Sequence, residues 1–514
     1  MYRKRLPALR PIDRRRFVGL FAGSLALAAA GCRRRDDVAY SRGNSLVMAV
    51  REVSNVKYDE WDLQSLYLPR LAEEDENGDL QPLLAQSWEH SSDYLEWTYH
   101  LRTDARWSDG APLTAHDVKF TLDLLSHPDV HYIVSDAVTV IDDYTVKIRK
   151  AGGRLFGLCL LPKHVLEHLD PKNFWDWDFW YHPMVSAGPY RFIRYLPETM
   201  MEFEANPTYF RGRPRIERVV LKFVGEAGLT ELLSGNVDVV ERANPAQIPF
   251  VAKDPRFRVY QQIGSPASTA IYWKCDHPLF RDVRVRRALT LAIDRRELLG
   301  VLNLPGDLPI TDGVFTERQF RRRQFPEPLP YDPVQVRALL DAAGWQDRDG
   351  DGLREREGRP FRFTALVRGN MDRVAVYVQA QLRQVGVQME VQVLDTALVW
   401  DRLDAGGFEA VFTIQQTDLT NPRKYFGRDN PLGYQNPEMV RLTDQVVATA
   451  DPDELDRIYR ALTEILRADL PMTRLVPSTE TAFAHRRVQG LITPFHAKPD
   501  SYIEDLSLEN RQGQ

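Results

Sequence analysis

The chain is poor in cysteine. Cys32, Cys159 and Cys275 are its only three, so once the N-terminal Cys32 is set aside at most one disulfide is possible. Long apolar runs are also missing. After the first thirty residues no stretch approaches the roughly 18 apolar residues of a spanning helix. The sequence has no G-x-S-x-G, no H-E-x-x-H and no phosphate loop, which removes the commonest hydrolase and nucleotide-binding signatures. No internal repeat is visible, which excludes a solenoid. Neither charge dominates: 67 Lys and Arg stand against 72 Asp and Glu.

The N-terminus is a segment apart. Arg3, Lys4, Arg5, Arg10 and Arg14-Arg15-Arg16 form a basic region, and residues 17–30 follow as a short apolar core ending at Gly31-Cys32. That length suits a signal peptide over residues 1–31. Arg14-Arg15-Arg16-Phe17 resembles a twin-arginine export motif, with Asp13 in place of the usual hydroxyl residue. Ala29-Ala30-Gly31-Cys32 resembles a lipobox in which Cys32 becomes the lipidated first residue. Plain cleavage near Ala30 is the alternative. Either way the mature chain is expected outside the cytoplasm, anchored to the membrane through lipid or free in the periplasm. Removing residues 1–31 leaves 60 basic and 71 acidic residues, a net charge of −11. Such a chain has no general affinity for nucleic acid, which rewards basic faces. An oxidising compartment permits a Cys159–Cys275 bridge; two buried free thiols are the other reading.

About 480 mature residues exceed one domain. The second half reads as alternating helix and strand. Asp282 caps a helix bearing Val285, Ala288, Leu289, Ala292 and Ile293. Asp332-Pro333, Asn436-Pro437 and Asp451-Pro452 each place a cap before a proline at the first helical position. Val374, Val378 and Leu382 share a helical face ending at Gly386. Val387, Met389, Val391 and Val393 alternate as a strand, as do Phe408, Ala410, Phe412 and Ile414. Layered α/β lobes are expected.

Residues 107–120 are the most informative. Leu95, Trp97, Tyr99 and Leu101 alternate as a half-buried strand, Ser108-Asp109-Gly110 turns, and Thr114 with Asp117 forms a capping box. Val118, Leu122 and Leu125 then make one buried stripe. This order of residue types resembles the extracytoplasmic solute-binding proteins of ABC importers, family 5 (the oligopeptide, dipeptide and nickel-binding family). Further blocks follow in that family's order, among them GPYRF, LLSGNVDVV, PLFRDVRVRRALTLAIDRRELL and QLRQVGVQMEVQV. The resemblance implies an α/β periplasmic-binding-protein-like class II fold of the cluster C type, with an extra N-terminal subdomain. Residues 32–44 are then a linker, residues 45–268 plus 480–510 one lobe, and 269–479 the other. Two hinge crossings, near 268–274 and 476–482, would join the lobes. The chain is then a monomeric receptor, not an enzyme, needing no cofactor. It captures short peptides or a similar amine-bearing solute for a membrane permease and its ATPase.

The same resemblance suggests site residues. Asp418 stands where peptide binders pair with the ligand's α-ammonium, and the alternative is an exposed loop aspartate ahead of Asn421-Pro422. Gln415 replaces a usual tryptophan. Arg368 leaves a strand where some relatives hold the peptide carboxylate, and the alternative is a solvated surface arginine. Glu52 and Ser54 lie in the stretch that pairs with an extended peptide by strand addition. Arg474 replaces a usual proline–aromatic pair, and either lines the cleft or stabilises the hinge. A nickel-chelate or oligosaccharide receptor on the same fold is the alternative function.

Three motifs stand outside that scheme. Asp347, Asp349 and Asp351 match the first half of an EF-hand calcium loop, but the twelfth position is Gly358; a hairpin turn is the default. His164-x-x-Glu167-His168 matches a zinc-peptidase pattern without a distinctive third ligand. Residues 174–181 hold six aromatics, read as core packing over ring stacking on a ligand.

Overall fold

Local signals become elements where the chemistry is short-range. Trp97, Tyr99 and Leu101 are the buried face of a strand. The Thr114 hydroxyl accepts from the His116 N–H at 3.3 Å and Asp117 Oδ2 accepts from the Thr114 N–H at 2.9 Å, completing the capping box. Val118, Leu122 and Leu125 lie inside. In this computed structural model the described residues are 43–50, 61–74, 80–93, 95–130, 137–149, 158–313, 327–369, 371–416, 423–449, 451–490 and 503–509.

Strand β1 (Ser45–Val50) opens the main sheet. Then β2 (Ala85–His90), β3 (Glu96–Leu101), β4 (Ala137–Asp142) and β5 (Thr145–Arg149) form a separate antiparallel sheet, spatial order β2-β3-β5-β4, with α1 (Ala115–Leu125) against it. The main sheet continues with β6 (Tyr190–Leu196), β7 (Met200–Ala205) and β8 (Arg218–Phe223). After α2 (Gly228–Leu233) come β9 (Val239–Val240) and the long β10 (Phe257–Trp273). Three helices, α3 (Val283–Leu291), α4 (Arg295–Val301) and α5 (Pro333–Ala342), precede β11 (Arg362–Arg368). Then come α6 (Asp372–Arg383), β12 (Gln388–Leu394), α7 (Thr396–Asp404), β13 (Ala410–Gln416), α8 (Pro437–Ala448), α9 (Pro452–Asp469) and β14 (Met472–His485). The resulting ten-stranded sheet has the order β12-β11-β13-β10-β14-β9-β1-β8-β7-β6.

Two strands, β10 and β14, run antiparallel through both halves of this sheet. Residues 257–263 pair with 479–485, and residues 268–272 with 472–477. Between these stretches the ladder is broken: Ile263 pairs with Thr479 and the next partners are Ser268 and Pro477. Pro266 and Pro477 carry no N–H, so two ladder donors are missing at the break. Residues 268–273 are regularly paired with β13 beyond the break.

Each half has its own core. In the second half, Ile271, Trp273, Leu289, Leu340, Val378 and Phe412 fill one face of the sheet, and Tyr272, Val411, Val399, Met439, Leu462 and Met472 the other. Covering on both faces explains why residues 410–413 are buried without alternation, whereas edge strand β12 leaves Val393 half exposed. The first half is filled from the antiparallel sheet, the aromatic run and the chain end. There Phe174, Trp177, Phe179 and Trp180 are core residues, with Trp180 Nε1–H donating to the Phe174 carbonyl at 2.6 Å. In the GPYRF block, a Cβ on Gly188 would lie 2.7 Å from the Tyr67 carbonyl carbon, so glycine is required by close backbone approach. Cys159 and Cys275 are buried free thiols, not a bridge. Among the described residues no helix is long and apolar enough to cross a membrane.

Candidate functional site

Strand direction gathers the chain's polar strand ends. In the second half β10 runs away from the break, and β13, antiparallel to it, returns until Gln415 pairs with Ser268 and Gln416 with Ala267. Strands β11 and β12 are parallel to β13, so Arg368 ends the same edge. In the first half β14 runs away from the break, antiparallel β9 returns, and β1 is parallel to β9. Val50 and Val240 therefore also end toward the break. Carboxyl ends of parallel strands are where open α/β sheets hold ligands.

On the first half this edge carries a cavity of about 350 Å³. Ala49, Val50 and Val240 line it together with residues of the 224–229 and 241–247 segments, among them Glu226, Glu241, Arg242, Asn244 and Gln247. Arg242 holds a left-handed backbone (φ 49°), an uncommon state for a non-glycine residue that recurs at binding sites. Gly228 lets α2 start against the sheet, since a Cβ there would sit 2.9 Å from Val240 Cγ1. In the sequence this region shows only as the LLSGNVDVV block, without a site. The available signal was the Gly225-Glu226-Ala227-Gly228 turn between a strand and a helix.

On the second half, Arg368 is half-buried and donates from Nε to Thr396 Oγ1 at 3.0 Å. Among the described residues no carboxylate pairs with it, and burial pulls its guanidinium below the ordinary value. Gln415 occupies the strand end beside Ser268; its side chain lies outside the described residues, as do Asp418, Glu52, Ser54 and Cys32. Arg474 is 5% exposed and points into the protein: Nε–H donates to Ser268 Oγ at 2.8 Å, and Nη1–H donates to Thr311 Oγ1 at 2.7 Å and to the Gly313 carbonyl at 2.6 Å.

Asp347, Asp349 and Asp351 bring carboxylate oxygens within 4.8 Å of one another on the surface. They accept from the Gly350, Gly352, Asp351 and Leu353 N–H groups of their own turn. Gly358 forms the tip of the following hairpin (φ 71°), so the twelfth loop position supplies no carboxylate. The zinc reading fails on geometry. The helical turn is only Lys163–Leu166, so His168 lies beyond it, and His164 Nε2 is bonded to Asp109 Oδ2 at 2.8 Å.

A family model for bacterial extracellular solute-binding proteins, family 5, matches residues 79–431. This chain belongs to that family. Family 5 members are non-catalytic receptors, so this one binds a solute for an ABC importer and does no chemistry on it. The chain is 26% identical over 473 residues to the oligopeptide-binding protein AppA of Bacillus subtilis, covering 86% of each chain. The AppA structure, solved with a nonapeptide, superposes with a TM-score of 0.70 over 91% of this chain and 99% of that one, at 22% identity. NikZ of Campylobacter jejuni, solved with Ni(L-His), superposes at 0.73 over 90% of this chain and 99% of that one, also at 22% identity. Heme-binding protein A of Haemophilus influenzae is 22% identical over 473 residues, covering 81% of this chain and 82% of its own. The chain thus has the mixed α/β fold of these structures, its two halves joined through β10 and β14, and its relatives are named for or solved with peptides, nickel and heme.

Proposed function

We propose that this family 5 receptor captures short peptides between its lobes and delivers them to a membrane permease whose partner ATPase drives import. The lobes are residues 45–268 with 480–510, and 269–479. The observation that carries the peptide reading is Arg368, a half-buried cation whose described partner is the neutral Thr396 hydroxyl. A guanidinium so placed takes a peptide carboxylate through two parallel hydrogen bonds. Asp418, two residues past the end of β13, takes the α-ammonium. Residues 52–54, which follow β1 in sequence, pair with the peptide main chain, and Gln415 borders the second-lobe side, while Arg474, turned into the protein, does not face the ligand. AppA, named for oligopeptides, supports this choice of ligand over a nickel chelate or an oligosaccharide. The receptor works as a monomer, held at the membrane through lipid on Cys32.

Tryptophan fluorescence titration with peptide mixtures, chelated nickel and oligosaccharides tests the ligand class. Saturation by nickel chelate or oligosaccharide alone rejects the peptide reading. At the residue level, Asp418→Ala weakens binding of a free-amine peptide at least about tenfold more than that of its N-acetylated form, about 1.4 kcal/mol. Equal loss for both forms rejects the amine role.

A further inference from the structure

We infer that Arg474 is the positioning residue of the hinge: its guanidinium pins Ser268 to the second lobe, so that bending is confined to residues 264–267 and the opposing Ser478. The inference rests on the lobe-closing reading above. Ser268 is the first residue of β10 to regain a β14 partner after the break, so it marks where the second lobe begins to be rigid. A β-bulge lies beside it. Thr269 pairs with Val476 and Ala270 with Arg474, leaving Leu475 as the extra residue. Bulges re-aim side chains, and here the side chain of Arg474 reaches back across β10 to Ser268.

The other end of the guanidinium is anchored. Thr311 and Gly313 receive its Nη1 donors. A second arginine holds the same segment: Arg295 Nη1 donates to Asp312 Oδ1 at 2.5 Å and to the Arg474 carbonyl at 3.2 Å, and the Arg295–Asp312 pair is buried. Behind Gly313 stands α9, with Thr463 Oγ1 only 2.7 Å from where a Cβ would be. The segment is backed by helix and cannot retreat. The path Ser268–Arg474–Gly313–Thr463 therefore carries the pivot into the helix layer of one lobe. The rigid planar fork of arginine sets both directions at once; a lysine ammonium is a single point that cannot.

Electron–electron double resonance distances, measured without ligand on the full chain, test this. Nitroxide labels go on Asp123→Cys in the first lobe and Glu390→Cys in the second, both exposed, in a Cys32→Ser background, while Cys159 and Cys275 are buried. Arg474→Lys is expected to widen the interlobe distance distribution roughly twofold as bending spreads past Ser268. Ser268→Ala is expected to widen it similarly, and the double variant no further than either single, because the two share one bond. An unchanged width in Ser268→Ala overturns the inference even if Arg474→Lys fails to fold. A lowered melting temperature with unchanged width makes Arg474 a packing residue only, and overturns it too. Closing itself is read separately, by adding a tryptic peptide mixture to the wild type. No shortening there counts against the peptide reading, while the ligand-free widths still decide the role of Arg474.

Discussion

Glu504 shows how one buried residue makes stability depend on pH. It lies near the chain end with its side chain only 10% exposed, where Arg211 Nη1 donates to Oε1 at 3.0 Å and the Tyr209 hydroxyl donates to the same atom at 3.3 Å. Burial raises its pKa above the ordinary value of 4.5, the Arg211 charge opposing only in part. A carboxyl raised on folding favours the protonated form. Its contribution is fully present below the ordinary value and is lost as pH rises through the raised one. Urea midpoints measured upward from about pH 4.3 should fall more for the wild type than for Glu504→Gln. Parallel curves would show that this carboxyl does not govern the slope. Arg286 is the opposite case, a buried cation with no need of a carboxylate. It donates to the carbonyls of Phe280, Arg281, Asp469 and Leu470, so it caps the end of α9 where the helix dipole is negative.

At the scale of elements, the capping box of α1 has a reach that its sequence pattern hides. Asp117 Oδ2 accepts from the Thr114 N–H, and Oδ1 accepts from the Lys163 N–H at 3.0 Å, tying the helix to a segment 46 residues away. Thr114→Ala should therefore cost about 1 kcal/mol. Asp117→Ala should cost more, since it also removes the acceptor of the partly buried Lys163 N–H (about 1 kcal/mol further). Denaturation of the two variants checks the order, and equal losses would deny the long-range bond. The helix starts at Asp332-Pro333, Asn436-Pro437 and Asp451-Pro452 were legible because a cap is settled within three residues. Strand pairing was not, because β10 and β14 meet across some two hundred residues and nothing local encodes their register. The same limit governs the site. Arg368 was legible as a strand-end cation, whereas the inward turn of Arg474 depends on the bulge at Leu475, and the walls of the first-half cavity meet only through the sheet order.

At the scale of the whole molecule, the halves are joined by two continuous strands, not by a loose linker. A break of a few residues in paired strands permits rotation but little sliding. Small-angle scattering should show a smaller radius of gyration with saturating peptide, and maleimide should modify neither Cys159 nor Cys275 until the protein unfolds. Burial already pushes the Cys275 thiol up to about 11, which suppresses the reactive thiolate. Labelling of either thiol in the native state, or scattering that ignores every ligand, would contradict this picture.

The first core is assembled from both ends of the polypeptide: Ala484, Val488, Ile503 and Leu506 pack with Leu46, Trp97 and Trp107. A ribosome that has released only the first half has therefore not yet supplied the pieces that seal it. The inserted second half, whose described hydrophobic core begins at Ile271, is complete sooner. Maturation thus runs against the order of translation, and clipping the tail should unravel the region encoded first.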